Sequence, residues 1–252
     1  MEAQPKCNLI IDSCCDLPFE VIDRPGVQLL EFPYIDEKGE HSDDLYRTIM
    51  PHEFYEGMRA GSQPSTAQVP VTVFQDVFSK AIESGVPTVY LSFTSGLSGS
   101  FNTAVMMRDQ LIAEHPEAEL YVVDTYLASV AEALLVYEAL NQRDNGMTAR
   151  ELAAWAEEAR YFVDAEFMVD DLESLRRGGR IPSTVAYAGA KLDVKPLLNI
   201  SIEGKLALTG VARGRKKGIR QLAEYCSKRM TACRRCGVMR GGYCRFSILP
   251  SR

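Results

Sequence analysis

The segment 86-VPTVYLSFTSGLSGSFNTAVMMRDQLIAEH-115 predicts a strand, a turn and a helix, in that order. Its apolar run at 86–91 has the length of a buried strand, and residues 101–114 have the spacing of a helix. The turn between them is crowded with polar groups, since 92–104 contains four serines, two threonines and two glycines. Strand–turn–helix units of this kind build parallel α/β sheets.

Similar units recur along the chain. Strands are predicted at 8–11, 28–32, 88–93, 120–123, 166–169 and 206–211, and helices at 51–60, 70–84, 101–114, 129–143 and 148–159. Residues 33–46 are predicted to form a loop and residues 170–182 a turn. Thr148 and Glu151 have the spacing of a capping box at the start of the last helix. The alternation predicts an α/β fold with mainly parallel sheets.

The length of 252 residues suffices for one large or two small domains. Because a second run of strands begins after 160–165, we predict an N-terminal α/β domain at 1–160, a partial C-terminal α/β domain at 161–225 and a basic, cysteine-rich tail at 226–252. The net charge of −6 argues against nucleic acid or an anionic membrane surface as the main partner. No apolar run approaches the length of a membrane span, and no signal-peptide pattern is visible, so a cytoplasmic protein without membrane insertion is expected.

The polar groups of 92–104 are predicted to bind an anion. Ligands of open α/β sheets collect at the carboxyl ends of strands, beside helix N-termini whose free N–H groups favour negative charge. Glycines let a ligand approach the backbone, and hydroxyls add donors, here those of Thr94, Ser95, Ser98 and Ser100. The alternative is that these serines only cap the following helix.

A serine-dependent acyl hydrolase, with Ser95 or Ser98 as the nucleophile, is the competing interpretation. Residues 96-GLSGS-100 resemble the nucleophile elbow G-x-S-x-G, except that Ser100 replaces the last glycine. A serine nucleophile needs a base held by a third group, and the only three histidines, at 41, 52 and 115, offer no good candidate. A phosphate-binding loop is also disfavoured, because no G-K-[ST] follows. The turn is therefore predicted to bind without catalysing.

Other polar segments are weaker candidates. The loop 61-GSQPST-66 offers the hydroxyls of Ser62 and Ser65, or else is a plain helix cap. Asp12 follows the first predicted strand and so faces the same rim as Ser95, where it is either a divalent-metal ligand or a loop cap. Arg213 comes just after the last predicted strand and offers a cation to a bound anion.

Together these segments resemble the DegV family of bacterial fatty-acid-binding proteins. The resemblance rests on order and spacing over about 220 residues and on six motifs: LIIDSCCDLP at 9–18, SQPS at 62–65, TSGLSGSFNTA at 94–104, VVDTYLAS at 122–129, LESLRRGGRI at 172–181 and VARGRKKGI at 211–219. It implies two α/β domains that enclose one long-chain fatty acid, which is a ligand and not a cofactor.

The resemblance also implies which residues contact that ligand. Hydroxyls of the S-Q-P loop and of the serine-rich turn, with backbone amides, hold the carboxylate, which assigns Ser62 and Ser95 to the head group. Further contacts are implied at Gly61, Ser98, Asn102 and Arg213. The family commonly has threonine where Gly61 stands, so one hydroxyl donor is expected to be missing. Members can present the carboxylate to a fatty acid kinase, an implied partner; no catalytic residue and no metal ligand are implied.

The segment 226–252 departs from the family pattern. Members continue for several tens of residues and close with H-x-G-P-G, whereas this chain has no histidine after His115. The segment holds seven basic and no acidic side chains and lacks helix or strand periodicity, which we interpret as a shifted reading frame. An incomplete second domain with a disordered tail is therefore expected. The alternative is a zinc site formed by Cys226, Cys233, Cys236 and Cys244.

Overall fold

The computed structural model describes residues 5–170, 172–181 and 194–235, with side chains described up to residue 228. The chain divides into two compact units, Met1–Glu158 and Ala159–Arg252. The elements from the first strand to the end of the sixth helix are β1 (Asn8–Asp12), α1 (Phe19–Ile22), β2 (Val27–Leu30), β3 (Pro33–Asp36), β4 (Gly39–Ser42), α2 (Pro51–Arg59), β5 (Ser65–Thr66), α3 (Val71–Glu83), β6 (Thr88–Ser92), α4 (Ser100–Glu114), β7 (Leu120–Asp124), α5 (Ser129–Asp144) and α6 (Ala149–Ala159).

A parallel sheet of four strands, in the order β2-β1-β6-β7, is the centre of the first unit. Leu9 and Ile11 of β1 pack into the hydrophobic cluster formed with α5 and α6, and Ile10 packs into the opposite cluster with α3 and α4. Strands buried on both faces have continuous apolar sequences, which makes β1 and β6 recognisable from sequence. The predicted mixed α/β fold with a parallel sheet is confirmed.

A second, antiparallel sheet occurs where a loop is predicted at 33–46. Strands β4, β3 and β5 pair in that order, and β3 joins β4 through the two-residue turn of Glu37 and Lys38. The loop prediction is wrong because β3 and β4 have only four residues each: β3 is only partly buried, and β4 is polar and largely exposed, so neither has the apolar run that marks a buried strand. Gly39, which ends the turn, has a φ of +127°, a conformation that favours glycine.

The second unit has an antiparallel sheet. It contains β8 (Glu166–Met168), α7 (Glu173–Arg177), β9 (Val194–Ile200), β10 (Leu206–Arg213) and α8 (Arg215–Arg235), with strand order β10-β9-β8. The prediction of a mainly parallel sheet is therefore wrong for this unit. Strands β9 and β10 are joined by residues 201–205 alone, which is too short for the crossover that neighbouring parallel strands require.

Helix α8 continues into the segment expected to be a disordered tail, so that expectation is wrong for residues 226–235. The helix is anchored near its start, where Leu222 is buried together with Met168 and Leu197. The change to a basic composition is compatible with a helix, since Lys, Arg and Met are good helix formers. Residues 236–252, with Cys236 and Cys244, lie outside the described residues. In the described part of the chain, no helix combines the length and apolarity needed to cross a membrane.

Glu132 is a buried acid in the first turn of α5. Its side chain has no exposed surface, and neither carboxyl oxygen has a hydrogen-bond partner among the described residues. Burial raises the pKa of Glu132 well above its usual range, and the negative charges of Asp12, Asp16 and Asp124 raise it further. The folded protein therefore favours the protonated carboxyl, whereas the unfolded chain ionises it at ordinary acidic pH.

We expect Glu132→Gln to stabilise the protein increasingly as pH rises. Because the folded-state pKa is raised, the wild-type carboxyl contributes stability below its unfolded pKa and loses it at higher pH, by up to about 1.4 kcal/mol per pH unit. Thermal melts should therefore show little difference near about pH 4 and a growing advantage of the variant towards about pH 8. The exposed Glu157→Gln on α6 is the matched control, and equal shifts in both variants would contradict this assignment.

Candidate functional site

The serine-rich turn that follows β6 is held from one side by the carboxylate of Asp12 at the end of β1. Asp12 Oδ2 accepts hydrogen bonds from Phe93 N at 2.7 Å and from the Tyr90 hydroxyl at 2.9 Å, and Oδ1 accepts from Cys14 N at 3.1 Å. The side chain is completely buried. Burial raises the pKa of Asp12 to about 7, and these hydrogen bonds oppose the rise. Of its two predicted roles, the structure gives Asp12 that of a loop cap.

The end of β7 holds the same turn from the other side. Asp124 Oδ1 accepts from Ser95 N at 3.2 Å and from Tyr126 N at 3.0 Å. Thr125 Oγ1 donates to the carbonyl of Ser92 at 2.8 Å, and Thr94 N donates to the carbonyl of Leu127 at 3.1 Å. Because β6 lies between β1 and β7 in the sheet, both of its neighbours fix the backbone of the turn.

Several backbone amides of the turn are already used within the protein. The amide of Ser95 donates to Asp124 Oδ1. The amide of Gly96 donates to Thr94 Oγ1 at 3.1 Å, and the amide of Ser100 donates to Ser98 Oγ at 3.2 Å. The Ser95 hydroxyl differs, since it makes no hydrogen bond to any residue that the structure describes and its residue is only partly buried. Of the predicted donors in this turn, Ser95 is the one whose side chain remains available to a ligand.

Ser98 and Ser100 act within the protein. The Ser98 hydroxyl donates to Ser100 Oγ at 3.0 Å, and Ser100 Oγ accepts from Val69 N at 3.2 Å. The capping interpretation fits Ser98, whose Oγ accepts from Ser100 N in the first turn of α4, but not Ser100, whose Oγ accepts from Val69 N and from no amide of α4. The bond to Val69 also ties the turn to the end of the segment that contains the S-Q-P loop. The side chain of Gln68 lies over Gly99, where an added Cβ would be 2.3 Å from Gln68 Nε2, so a side chain at this position would displace the end of the exposed Gln68 side chain.

The S-Q-P loop faces the turn of the β3–β4 hairpin. Ser62 Oγ donates to Glu37 Oε2 at 2.6 Å, and Gln63 N donates to Glu37 Oε1 at 3.0 Å. Gly61 adopts a φ of +111°, which side-chain-bearing residues rarely adopt, although space around it is open. A threonine at this position would therefore be strained in the backbone conformation that this chain has.

Two residues with implied contacts, Asn102 and Arg213, take no part in these hydrogen bonds. Asn102 is exposed in the first turn of α4, and Arg213 is exposed at the end of β10 in the second unit. The histidines also lie elsewhere: His41 bonds Asp36 at 2.8 Å through Nε2, and no described serine of either loop is bonded to a histidine. Within the described residues, no three His, Cys, Asp or Glu side chains are grouped as a metal site.

A cavity of about 260 Å³ lies within the first unit. Its walls are largely aromatic or aliphatic and come mainly from β3, α2 and the segment before α2, including Phe32, Pro33, Tyr34, Ile49, Phe54 and Tyr55. Asp16, Asp43 and Asp44 also line it, as does Thr66 of β5, the strand after the S-Q-P loop. None of the six head-group positions implied by the resemblance is among its lining residues.

Sequence reasoning missed the groups that position the site. Asp124 and Glu37 were not singled out, although each is now a direct partner of a predicted head-group residue. A signal existed for Asp124, because an acid directly after a buried strand, as in 122-VVDT-125, lies at the sheet rim. No comparable signal existed for Glu37, since its hairpin has no buried run.

Comparisons with known proteins agree on one family. The model of the DegV family matches residues 6–242. A DegV domain-containing protein of Clostridium perfringens is 34% identical over 225 residues, which cover 89% of this chain and 77% of that protein. A Thermotoga maritima protein described as having a fatty acid binding function has a TM-score of 0.70 at 29% identity, covering 88% of this chain and 76% of that one. A fatty acid binding protein of the family from Streptococcus agalactiae has a TM-score of 0.76 at 27% identity, covering 91% and 79%.

Asp12→Ala should destabilise the first unit strongly. The change leaves the Tyr90 hydroxyl and the Phe93 amide without their acceptor, and each buried unsatisfied donor costs about 1–3 kcal/mol. We expect the free energy of unfolding, measured with urea at neutral pH, to fall by about 2–4 kcal/mol. Asp23→Ala, at an exposed carboxylate, is the control. A loss in D12A no larger than in the control would show that Asp12 does not hold the turn.

Proposed function

The chain belongs to the DegV family, and we propose on that basis that it is a non-enzymatic carrier of one long-chain fatty acid. The observation that carries the proposal is the Ser95 hydroxyl, a donor without a partner among the described residues, on a turn whose backbone is held by Asp12 and Asp124. Because the backbone of the turn is already held, binding a carboxylate oxygen has to order only the Ser95 side chain and not the turn itself. Relatives that are described as binding fatty acids support a fatty acid carboxylate as the anion.

The carboxylate head group and the acyl chain of a fatty acid contribute differently to affinity and specificity. Burying about a dozen methylenes is worth on the order of 10 kcal/mol gross, which supplies most of the affinity. A hydrogen bond from Ser95 to the carboxylate adds less, but it fixes the orientation of the molecule and selects an acid over an ester or alcohol. Ser62 is proposed as a second donor, with Gly61, Ser98, Asn102 and Arg213 as lesser contacts.

A carrier is favoured over a serine-dependent hydrolase. Nucleophilic attack by Ser95 requires a neighbouring base that removes its proton, and its hydroxyl is not hydrogen-bonded to a histidine or carboxylate among the described residues. Asp124 contacts Ser95 through the backbone amide, which orients the turn without activating the hydroxyl. We propose accordingly that the protein holds the carboxylate unchanged and presents it to a separate fatty acid kinase.

Protein purified from a bacterial host should carry a fatty acid at up to one molecule per chain. The apolar chain makes release into water unfavourable, so the ligand should survive purification and be detected by native mass spectrometry. Denaturation and solvent extraction should release a free acid and not an ester. A nucleotide or sugar phosphate found consistently in its place would contradict the carrier proposal.

Ser95→Ala should weaken fatty acid binding by about 1–3 kcal/mol, because a buried carboxylate loses a donor. Affinity is measured by displacement of a fluorescent fatty acid from delipidated protein. Ser79→Ala on α3, a serine of similar partial burial, is the matched control and should leave affinity unchanged. Neither the wild type nor the variants should hydrolyse acyl esters. An esterase rate that S95A abolishes would establish the hydrolase instead.

A further inference from the structure

A carboxylate of the protein itself occupies two donors of the S-Q-P loop. Glu37 lies in the two-residue turn between β3 and β4, and its side chain is exposed. Its two oxygens accept from different donors, Oε2 from the Ser62 hydroxyl at 2.6 Å and Oε1 from the Gln63 amide at 3.0 Å. One hydroxyl and one backbone N–H on a single carboxylate is the arrangement expected for an acid ligand held by this loop.

The surrounding structure keeps Glu37 opposite the loop. Strand β5 pairs with β3, with Ser65 opposite Ile35, so the loop before β5 and the turn after β3 are brought side by side. The neighbouring acid Asp36 is engaged elsewhere, because Lys38 N bonds it at 2.7 Å and His41 at 2.8 Å. Glu37 is therefore the acid of this turn that is directed at Ser62.

The hydrogen bonds of Glu37 with Ser62 and Gln63 contribute little free energy, although their geometry is good. Glu37 is in water, and an exposed carboxylate that loses a hydrogen bond regains one from solvent at little cost. Hydrogen bonds from Ser62 and Gln63 hold the pKa of Glu37 below its usual range, so the group is ionised at neutral pH and accepts from both donors. A second carboxylate cannot use the same donors while Glu37 does, and the two negative charges repel each other at close range.

We propose that Glu37 is an internal competitor of the fatty acid head group, which must leave Ser62 and the Gln63 amide before a ligand carboxylate binds there. This inference rests on the proposed function, since it takes Ser62 as a head-group donor. The exchange lowers the affinity for acids and leaves the binding of the acyl chain unaffected. Glu37 thereby tunes the ease with which the carboxylate is released from the loop.

The test measures palmitate binding to the delipidated full chain by displacement of a fluorescent fatty acid. Glu37→Ala should tighten binding by roughly 2- to 10-fold, the range expected when one competing hydrogen-bonded carboxylate is removed. Glu40→Ala is the matched control, because it removes the same charge from the exposed β4 strand of the same hairpin. Ser62→Ala should weaken binding, and in that background the effect of E37A should shrink.

The outcomes separate this inference from the proposed function. Tighter binding in E37A but not in E40A, with a reduced effect in the S62A background, supports the competitor role. The competitor role is overturned if E37A and E40A have equal affinities, if E37A binds more weakly than the wild type, or if S62A has no effect. In any of these cases the carrier function still stands if S95A weakens palmitate binding in the same series. Absence of palmitate binding by the wild type would overturn both.

Discussion

The turn after β6 presents a hydroxyl because two buried carboxylates, at the ends of the strands on either side of β6, hold its backbone. Asp12 binds the amide of Phe93, and Asp124 binds that of Ser95. Parallel pairing places the carboxyl ends of β1, β6 and β7 on one rim, so acids distant in sequence reach one turn. With those amides satisfied internally, what distinguishes the turn chemically is the hydroxyl of Ser95, which lies on a held backbone and lacks a partner among the described residues.

Acidic groups are concentrated around this rim. Burial raises the pKa of Asp12, Asp16 and Glu132, and the negative charges of Asp12, Asp16 and Asp124 raise the pKa of Glu132 further. Raised pKa values mean that part of this negative charge is neutralised in the folded state, at a cost in stability. An anion at the same rim is less strongly repelled by neutral carboxyl groups than by ionised ones. Binding through uncharged hydroxyl donors is consistent with such surroundings, whereas a cation at this place would instead pair with the acids.

Local pattern identified the part of the site carried by a buried, regular element, whereas Ser62 was identified through the S-Q-P motif alone. Ser95 follows a strand with every residue buried, and the continuous apolar run predicts both the strand and the rim position of the turn. Ser62 lies in a segment with no such pattern, and its structural partner Glu37 is 25 positions away in a hairpin that the sequence predicts as a loop. Short exposed strands gain their stability from pairing with each other, which no local pattern records.

The sequence by itself determined the α/β class, the central parallel sheet, most helices and the family, because each depends on local periodicity or on motifs in a set order. Only the tertiary structure decided which serines are engaged: Ser98 and Ser100 bond each other, Ser62 bonds Glu37, and Ser95 stays unbonded among the described residues. It also decided that the second sheet is antiparallel and that α8 extends to Arg235. Hydrogen-bond partners, strand direction and helix ends depend on contacts between residues that are distant in sequence. No local sequence pattern specifies such contacts.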